Sequence, residues 1–342
     1  MRLLVVAQTV DEKDPVLGFF HTWLNELAVR VEQIEVICLT EGVHHLPENV
    51  RVHSLGKEKG RPLLGGLAYA VRFKLLAWKL RHTYDRVFVH MNQEYILVAG
   101  PMWKLLQKPV YLWRNHYAGS FLTDIAAVFA TKVFCTSKDS YTARYTKTKL
   151  MPVGVDLARF VTSPQTARGA RSILFLARMA PSKRPQLLLD ALAKLSEWGV
   201  DYSASLYGSP AGSDESFYEA LKKRYTSDQI HFCAGVPNID TPRIYAAHEM
   251  FVNTSPSGMY DKTIFEAAAS GCIVLANNED WRLLAGDSFY FDGTVDTLAE
   301  RLSSHLSATS TDRTRNQEHV RTLAATQGLT LLMDLLHEEL KA

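Results

Sequence analysis

The sequence has few cysteines and almost no excess charge, and both absences exclude classes of function. Its 342 residues include only Cys38, Cys135, Cys233 and Cys272, which lie far apart and form neither a metal-ligand spacing nor a disulfide framework. We expect buried, reduced thiols. The 38 basic and 36 acidic residues leave a formal net charge of +2, so no overall field draws the chain to nucleic acid.

Long apolar runs are absent as well. No stretch approaches the 18 or so apolar residues of a membrane-spanning helix. The apolar run near Met1 is only about five residues long, and no cleavage site of small residues follows it. We therefore expect a cytoplasmic protein, at most peripheral on the inner face of the plasma membrane. The pattern G-x-G-x-x-G does not follow the first apolar run, which argues against a nicotinamide-dependent oxidoreductase.

What the sequence does contain is a regular alternation of short apolar runs and longer helical patterns, which is typical of parallel sheets covered by helices on both faces. A first series of strands is predicted at residues 3–7, 34–39, 51–54, 87–90, 109–113 and 132–136. A second series is predicted at residues 172–176, 203–207, 230–233, 250–252, 273–276 and 288–291. This restart, in a chain longer than one core usually supports, predicts an α/β protein of two Rossmann-like domains.

The domain boundary is predicted in a segment that contains proline and glycine and has no sustained periodicity, residues 151–165. We predict an N-terminal domain over residues 1–155 and a C-terminal domain over residues 156–322. The last periodic segment predicts a helix over about residues 317–340 with an apolar face of leucines. Its part within residues 323–342 is expected to pack back across the domains.

Two cations follow a predicted buried strand in the run R-S-I-L-F-L-A-R-M-A-P-S-K-R-P. Arg178 and Lys183 leave the carboxyl end of this strand together, and an amphipathic helix follows. In an open α/β sheet ligands bind at that edge, and two cations five residues apart can neutralise a diphosphate leaving group as its charge develops. The alternative is a solvated basic loop without a ligand.

A second run, F-V-N-T-S-P-S-G-M-Y-D-K-T-I-F-E-A-A-A-S-G, predicts a strand, a turn and a helix that starts near Asp261 and stops at Gly271. The N–H groups around Lys262 and Thr263 at the helix start form a site for phosphate oxygens. Glu266 lies about one turn further in, where a carboxylate can accept hydrogen bonds from a ribose diol. Alternatively, Glu266 is an ordinary exposed helix residue.

These two runs, together with L-M-P-V-G-V-D-L-A-R-F at residues 150–160, resemble the retaining glycosyltransferases of the GT-B fold. The resemblance is to the large family four, the glycosyl transferases group 1, which typically reads "P-N-G-V-D…F", then "G-R-…-K-G…L…A", then "E-G-F-G…E-A-M-A-S-G-x-P-V". It covers nearly the whole chain and rests on three ordered motifs. It implies an N-terminal acceptor-binding domain and a C-terminal donor-binding domain that face each other across a deep cleft.

Carried over residue by residue, the resemblance makes Arg178 and Lys183 a clamp for the donor diphosphate and Glu266 the glutamate that binds the ribose. His116, in P-V-Y-L-W-R-N-H-Y-A-G-S, looks like the family's active-site histidine. Gly18, in D-P-V-L-G-F-F-H, matches the loop where the family brings backbone close to the donor phosphates. A histidine near a strand end or a single glycine can also be purely structural.

The chain departs from the family pattern upstream of Glu266. Eight residues before it, where the family usually has another glutamate near the sugar hydroxyls, stands Gly258, and the "G-F-G" turn is replaced by M-Y-D. We expect Asp261 and Lys262 to take over sugar contacts from the altered loop. The base and sugar of the donor, the acceptor and the linkage do not follow from the sequence.

The resemblance implies a retaining, metal-independent transfer of a hexose-type sugar from a nucleotide diphosphate donor to a hydroxyl of a glycan or lipid-linked acceptor. No enzymic nucleophile is needed, because the acceptor attacks from the face that the diphosphate leaves. Protein cations stabilise that diphosphate in place of a metal, and no cofactor is expected. The implied setting is bacterial cell-surface polysaccharide or glycolipid biosynthesis. The alternative, motivated by Gly258, is a catalytically weak member that binds nucleotide or glycan as a regulatory or scaffolding module.

Residues 57–82 hold seven Lys and Arg residues among many large apolar ones. At 100° per residue the predicted helix has two apolar stripes on opposite sides. One stripe consists of Leu67, Val71, Leu75 and Trp78, and the other of Tyr69, Phe73, Leu76 and Leu80. Such a helix can bury one stripe in its own domain and offer the other to an anionic membrane surface or a lipid-linked acceptor. Alternatively, both stripes are buried.

Overall fold

The computed structural model describes residues 1–14, 16–60, 65–160, 168–258 and 261–342. They divide into two compact units. The N-terminal unit comprises Met1–Met151 together with Thr330–Ala342, and the C-terminal unit comprises Pro152–Leu329. The units thus part a few residues before the predicted boundary at 155. The second boundary, predicted at 322, falls seven residues later in the structure.

The described part of the N-terminal unit contains a seven-stranded parallel sheet in the order β3-β2-β1-β4-β5-β6-β7. Its strands are β1 (Arg2–Val10), β2 (Gln33–Glu41), β3 (Val50–Ser54), β4 (Arg86–His90), β5 (Val110–Trp113), β6 (Lys132–Cys135) and β7 (Thr148–Leu150). The chain runs outward from β1 to β3 and then returns to β4, so the strand order reverses between β1 and β4. Ligands of such sheets bind at the carboxyl ends of the strands beside that reversal.

Four helices of this unit connect the strands: α1 (Phe19–Ala28), α2 (Gly66–Lys79), α3 (Glu94–Leu105) and α4 (Phe121–Phe129). Helices α2, α3 and α4 share one face of the sheet, because Phe73, Trp103 and Ala126 form a common core with Leu4 and Val6 of β1. The central strands are apolar on both sides, as expected of a parallel sheet that is covered on both faces.

The described part of the C-terminal unit contains a five-stranded parallel sheet in the order β10-β9-β8-β11-β12. Its strands are β8 (Ser172–Leu176), β9 (Ser203–Tyr207), β10 (Ile230–Cys233), β11 (Met250–Asn253) and β12 (Ile273–Ala276). Its helices are α5 (Pro185–Glu197), α6 (Glu215–Arg224), α7 (Thr241–Ala246), α8 (Lys262–Ala269), α9 (Glu279–Ala285), α10 (Val295–Leu306) and α11 (Ser310–Ala325). Strand order reverses between β8 and β11, the two strands that precede the cationic loop and α8.

The continuous helix predicted over residues 317–340 is wrong, because the structure has α11 and a separate helix, α12 (Leu329–Lys341). The chain leaves helical geometry between them to pair with Val155. The Gln327 carbonyl accepts hydrogen bonds from the N–H groups of Gly154 and Val155, and the Leu329 N–H donates to the Val155 carbonyl. Backbone groups paired in this way cannot also continue a helix.

Helix α12 belongs to the N-terminal unit and is held there by ion pairs. Glu339 contacts Lys132 of β6 and lies 2.7 Å from the ammonium of Lys149 in β7. Asp334 lies 2.9 Å from the guanidinium of Arg30. The apolar side chains Leu332, Leu336 and Leu340 are fully buried.

One predicted strand, one strand that was not predicted and one predicted burial need correction. The strand predicted at residues 288–291 is a 3₁₀ turn, Asp287–Phe289, with a single bridge between Ala276 and Tyr290. The short edge strand β7 was not predicted, since its sequence T-K-L has no apolar run. Cys38, Cys135 and Cys272 are buried free thiols, whereas Cys233, at the end of edge strand β10, is partly exposed.

None of the described helices combines the length and the apolar character that crossing a bilayer requires.

Candidate functional site

The cationic loop after β8 places Lys183 at the start of helix α8. The chain leaves β8 at Leu176, makes a 3₁₀ turn over Pro181–Lys183 and enters α5 at Pro185. The Lys183 ammonium lies 2.8 Å from Oδ2 of Asp261, the N-cap residue of α8, and 3.1 Å from the hydroxyl of Ser255. Two predicted site residues from separate motifs, Lys183 and Asp261, are therefore in direct contact.

Arg178 lies on the same loop but contributes differently. Its side chain is exposed, and it makes no hydrogen bond or ion pair with any residue that the structure describes. A long, unpaired guanidinium can reorient towards an anion at little energetic cost. The pairing of Arg178 with Lys183 in a diphosphate clamp therefore stays a prediction.

Asp261 is the centre of a polar cluster formed by Lys183, Asn253, Ser255 and Asp261. Its Oδ2 accepts hydrogen bonds from Lys183, from the Ser255 hydroxyl at 2.8 Å and from the Asn253 amide at 3.3 Å. Burial by itself would raise the pKa of Asp261, but the charge of Lys183 and these hydrogen bonds outweigh it and lower the pKa. Oδ1 accepts no hydrogen bond within the described ranges and can receive one from a ligand hydroxyl.

Helix α8 presents Lys262 and Glu266 on the same side, four residues apart. The Lys262 ammonium donates to the Gly154 carbonyl at 3.1 Å. Burial lowers the pKa of Lys262 to about 7, although nearby Glu266 opposes the shift. Burial raises the pKa of Glu266, against the opposing charge of Lys262 and the hydrogen bond from Tyr245. A proton can therefore leave Lys262 near neutral pH.

Glu266 is only 8% exposed, which overturns the alternative that it is an ordinary surface residue of the helix. The Tyr245 hydroxyl donates to its Oε2 at 3.2 Å. Thr263, one turn earlier, accepts a hydrogen bond from the Asn253 amide at 3.1 Å. A carboxylate held in this way keeps lone pairs for further donors, as a ribose-binding role requires, but that role stays a prediction.

Sequence reasoning missed Asn253, Ser255, Arg184 and Tyr245. Asn253 ends β11 and Ser255 lies two residues later, so a polar residue at the end of a buried strand was the available signal. Arg184 donates from Nε to the Thr254 carbonyl at 2.8 Å and ties the loop after β8 to the end of β11. It does so with φ of +48°, a left-handed backbone that is strained for any residue with a side chain.

Gly258, which replaces the expected glutamate, also has a left-handed backbone, with φ of +91°. A glutamate could adopt this conformation only with strain. A glutamate at this position would therefore have to bear that strain or require a different backbone conformation.

In the N-terminal unit His116 lines a cavity of about 220 Å³ at the carboxyl ends of β4 and β5. The cavity is bounded by Met91, Asn92, Gln93, Glu94, Arg114, Asn115 and His116. The Ala118 N–H lies 2.9 Å from His116 Nδ1, and the Ala118 carbonyl oxygen lies 3.2 Å from the same ring nitrogen. The ring also stacks on Tyr117, with the ring centroids 4.5 Å apart.

Arg114 supplies a positive charge to this cavity that the sequence motifs did not indicate. Its Nε donates to Gln93 Oε1 at 2.9 Å and its Nη2 to the Ala118 carbonyl at 3.0 Å. Burial lowers the pKa of Arg114, and Glu94 opposes the shift. The guanidinium stays charged at physiological pH because an arginine starts from a pKa above 12.

Gly18 has a packing role at the start of α1. A Cβ at this position would lie 2.6 Å from the Asp14 carbonyl oxygen and 2.9 Å from that of Glu12. A residue with a side chain would therefore displace the loop after β1. The predicted approach of this backbone to donor phosphates stays a prediction.

No group of three or more His, Cys, Asp or Glu side chains in the described ranges is arranged to hold a metal ion. Metal independence nevertheless stays a prediction, because Mg²⁺ can be held by substrate phosphates, water and only one or two carboxylates.

Two doubly wound parallel sheets in one chain, each with polar side chains at its strand reversal, define a protein of the GT-B fold. The structure of Anabaena Alr3699/HepE in complex with UDP superposes with a TM-score of 0.78 at 20% identity and covers 100% of both chains. That protein has also been solved with UDP-glucose. WaaG, a glycosyltransferase involved in lipopolysaccharide biosynthesis, superposes with a TM-score of 0.72 at 15% identity, over 99% of this chain and 100% of WaaG.

Residues 170–307 match the family model Glycosyl transferases group 1. The resemblance inferred from the motifs is thus confirmed for the C-terminal unit, which carries the match. The spore coat protein SA of Bacillus subtilis (strain 168) is 28% identical over 152 residues, or 39% of this chain. The match spans 40% of that curated relative's length.

Proposed function

We propose that the chain is a retaining, metal-independent glycosyltransferase that moves a sugar from a nucleoside diphosphate donor to a hydroxyl acceptor. The observation that carries the proposal is the contact between Lys183 and Asp261, 2.8 Å apart. It brings a cation from the loop after β8 to the N-terminus of α8. The loop follows β8 and the helix follows β11, the two strands between which the strand order reverses. Positive charge and the N–H groups of the first turn of α8 suit a diphosphate.

In the proposed reaction the bond between the anomeric carbon and the β-phosphate oxygen breaks, and negative charge develops on the diphosphate. Lys183, Arg178 and the start of α8 stabilise that charge. The acceptor hydroxyl attacks from the same face and passes its proton to the departing phosphate, so no side chain acts as nucleophile or base. The contribution of the protein is electrostatic and lies in groups that are in place before the reaction.

The donor makes two further proposed contacts along α8. Glu266 accepts hydrogen bonds from the ribose diol while Tyr245 holds its other oxygen. Oδ1 of Asp261 accepts a hydrogen bond from a sugar hydroxyl, in place of the glutamate that Gly258 replaces. Lys262 contacts the same sugar. Because Lys183 already holds Oδ2, the carboxylate is oriented before the sugar arrives.

The acceptor is proposed to enter the cavity beside His116. Its volume of about 220 Å³ is below the roughly 300–1,000 Å³ of sites for drug-sized ligands, which suits a single sugar residue at the end of a glycan or lipid-linked chain. Arg114 and His116 offer N–H donors, and Glu94 offers a carboxylate. This mixture of donors and acceptors fits hydroxyl groups.

The donor base is proposed to be uracil and the setting bacterial surface polysaccharide or glycolipid assembly in the cytoplasm. HepE, solved with UDP and UDP-glucose, supports the base, and WaaG, involved in lipopolysaccharide biosynthesis, supports the setting.

A second candidate is a catalytically weak member of the fold that binds nucleotide or glycan as a regulatory or scaffolding module. The backbone of Gly258 favours it, since φ of +91° disfavours the acidic side chain usual at that place. Such a protein would bind UDP but neither hydrolyse nor transfer the sugar.

A thermal-shift screen of nucleoside diphosphates and their sugar conjugates tests the binding step, because a ligand that binds only the folded chain raises Tm. UDP and UDP-glucose are expected to raise it. Release of UDP from UDP-glucose in the presence of glycan acceptors then separates the two candidates. Binding without release would support the module, and no stabilisation by any nucleotide would remove the transferase and the nucleotide-binding form of the module.

A further inference from the structure

The apolar side of α2 that faces away from the core is exposed in the folded chain. Leu67 is 64% exposed, Val71 51%, Leu75 64% and Trp78 46%, and we call these four residues the α2 stripe. Phe73 and Ala77, on the other side of the helix, are 1% and 0% exposed. The alternative hypothesis from the sequence, that both apolar stripes of this helix are buried, is therefore wrong.

The charged side chains that helix α2 itself carries beside the α2 stripe are all positive. Helix α2 carries Arg72, Lys74 and Lys79, all exposed, and no acidic residue. Arg81, just after the helix, lies over the Trp78 ring with its guanidinium carbon 4.3 Å from the ring centroid. A tryptophan ring with a cationic side chain beside it is typical of the boundary between lipid tails and headgroups.

From this combination we infer that α2 docks the chain on the surface of an anionic lipid bilayer. The helix lies in the plane of the interface, with the α2 stripe buried among the upper acyl chains and the basic residues at the headgroups. Leu67 and Trp78 are eleven residues apart, so the stripe extends about 16 Å along the helix. A soluble anion could pair with the lysines but would leave this apolar strip in water.

Charge decides between a bilayer and a second copy of the chain. Two α2 helices packed stripe to stripe would bring together six cations and no carboxylate of either helix, which opposes association. An anionic bilayer satisfies both features at once, because it offers apolar depth beneath a negative surface. Each Lys or Arg near such a surface strengthens binding about fivefold.

This inference concerns where the chain works and goes beyond the proposed transfer reaction. It depends only on residues of the N-terminal unit and not on the donor contacts around α8. The two can therefore fail separately, and UDP binding reports on one while vesicle binding reports on the other.

The experiment measures co-sedimentation of the full chain with vesicles of phosphatidylcholine alone or mixed with phosphatidylglycerol. The chain is expected to bind the mixed vesicles at low salt, to bind neutral vesicles much more weakly, and to be released in part near 1 M salt, where screening acts within about 3 Å. The double variant Leu75→Glu/Trp78→Glu should weaken binding at least tenfold. Lys74→Gln/Lys79→Gln should weaken it about twentyfold, and only on anionic vesicles.

The matched control is Leu283→Glu, which changes a leucine of similar exposure, 66%, on α9 of the other unit. It should bind vesicles like the unaltered chain. All variants are first checked for an unchanged Tm and unchanged UDP binding. Failure of the unaltered chain to bind anionic vesicles at low salt would overturn the inference. Vesicle binding by the Leu75→Glu/Trp78→Glu variant equal to that of the unaltered chain would also overturn it. So would an oligomer of the unaltered chain that becomes monomeric in this variant.

Discussion

The candidate sites of the two units differ in how their charges are held. Around α8 the charged groups are bonded to other side chains, as in the partly buried Lys183–Asp261 pair and the buried Glu266, which accepts a hydrogen bond from Tyr245. In the N-terminal unit His116 and Arg114 line a cavity and are only partly buried, and their main partners are backbone groups and one amide. One site is organised before a ligand binds, whereas the other is open and adaptable.

This difference matches two kinds of ligand. A nucleoside diphosphate has the same charge and ribose whatever sugar it carries, so a fixed arrangement of charges can serve it. An acceptor glycan has many hydroxyls and little charge, and shape with a few hydrogen bonds must distinguish it. Substitutions around α8 should therefore have large effects on turnover and donor binding, whereas those in the cavity should have smaller effects confined to the acceptor.

The largest effect is expected for the cations. Lys183→Ala should lower kcat a hundredfold or more, about 3 kcal/mol, because the leaving diphosphate loses a charge partner, and Arg178→Ala should have a similar effect. Steady-state transfer assays with UDP-glucose measure it. Lys194→Ala, which removes an exposed ion pair with Asp296 in the same unit, is the control and should leave kcat unchanged. Full turnover in both Lys183 and Arg178 variants would remove the clamp.

The next effect concerns the ribose. Glu266→Gln keeps an acceptor for the Tyr245 hydroxyl, so the fold should survive, but the charged acceptor for the ribose diol is lost. The Kd for UDP measured by calorimetry should rise about thirtyfold, roughly 2 kcal/mol. The Kd for 2′-deoxy-UDP should rise much less, and Glu300→Gln, at an exposed position of α10, should change neither. Equal losses for both nucleotides would contradict a ribose contact.

A pH dependence follows from Lys262. Its pKa is lowered to about 7, so the ammonium proposed to contact the donor is present below about pH 7 and is lost as pH rises through that value. The affinity for UDP-glucose, whose diphosphate keeps its charge in this range, should fall up to tenfold between about pH 6 and pH 8.5. Lys262→Arg, which stays protonated, should flatten the profile. A flat profile in the unaltered chain would show that Lys262 does not contact the donor.

The smallest effect is expected in the cavity. Arg114→Gln should raise KM for the acceptor about fivefold, the loss of one hydrogen bond from a charged donor in a partly exposed site, and leave the Kd for UDP unchanged. Acceptor saturation curves measured at saturating donor test this expectation. A change in UDP affinity, with unchanged acceptor KM, would contradict the proposal that the C-terminal unit binds the donor and the N-terminal unit binds the acceptor.

Much of the fold could be predicted because buried parallel strands are short apolar runs that local sequence shows directly. Eleven of the twelve predicted strands coincide with observed ones, and the twelfth, at 288–291, fails because a short run of aromatic residues can also form a turn. The break between α11 and α12 could not be predicted, since its cause is a backbone pairing with Val155, over 170 residues earlier in the chain.

The candidate site divides in the same way. Lys183, Asp261 and Glu266 were predicted because the end of a strand and the start of a helix have local sequence signals. Tyr245 and Arg184 were not, because their partners, Glu266 and the Thr254 carbonyl, are brought to them by the packing of separate elements.

By itself, the amino-acid sequence determined which segments become strands and helices and which motifs end at a ligand-binding edge, because apolar period and capping residues act over a few neighbours. The tertiary structure alone decided which charges are buried and paired and which side of α2 stays in water. Burial and pairing depend on what other segments place around a side chain, and no local pattern contains that information.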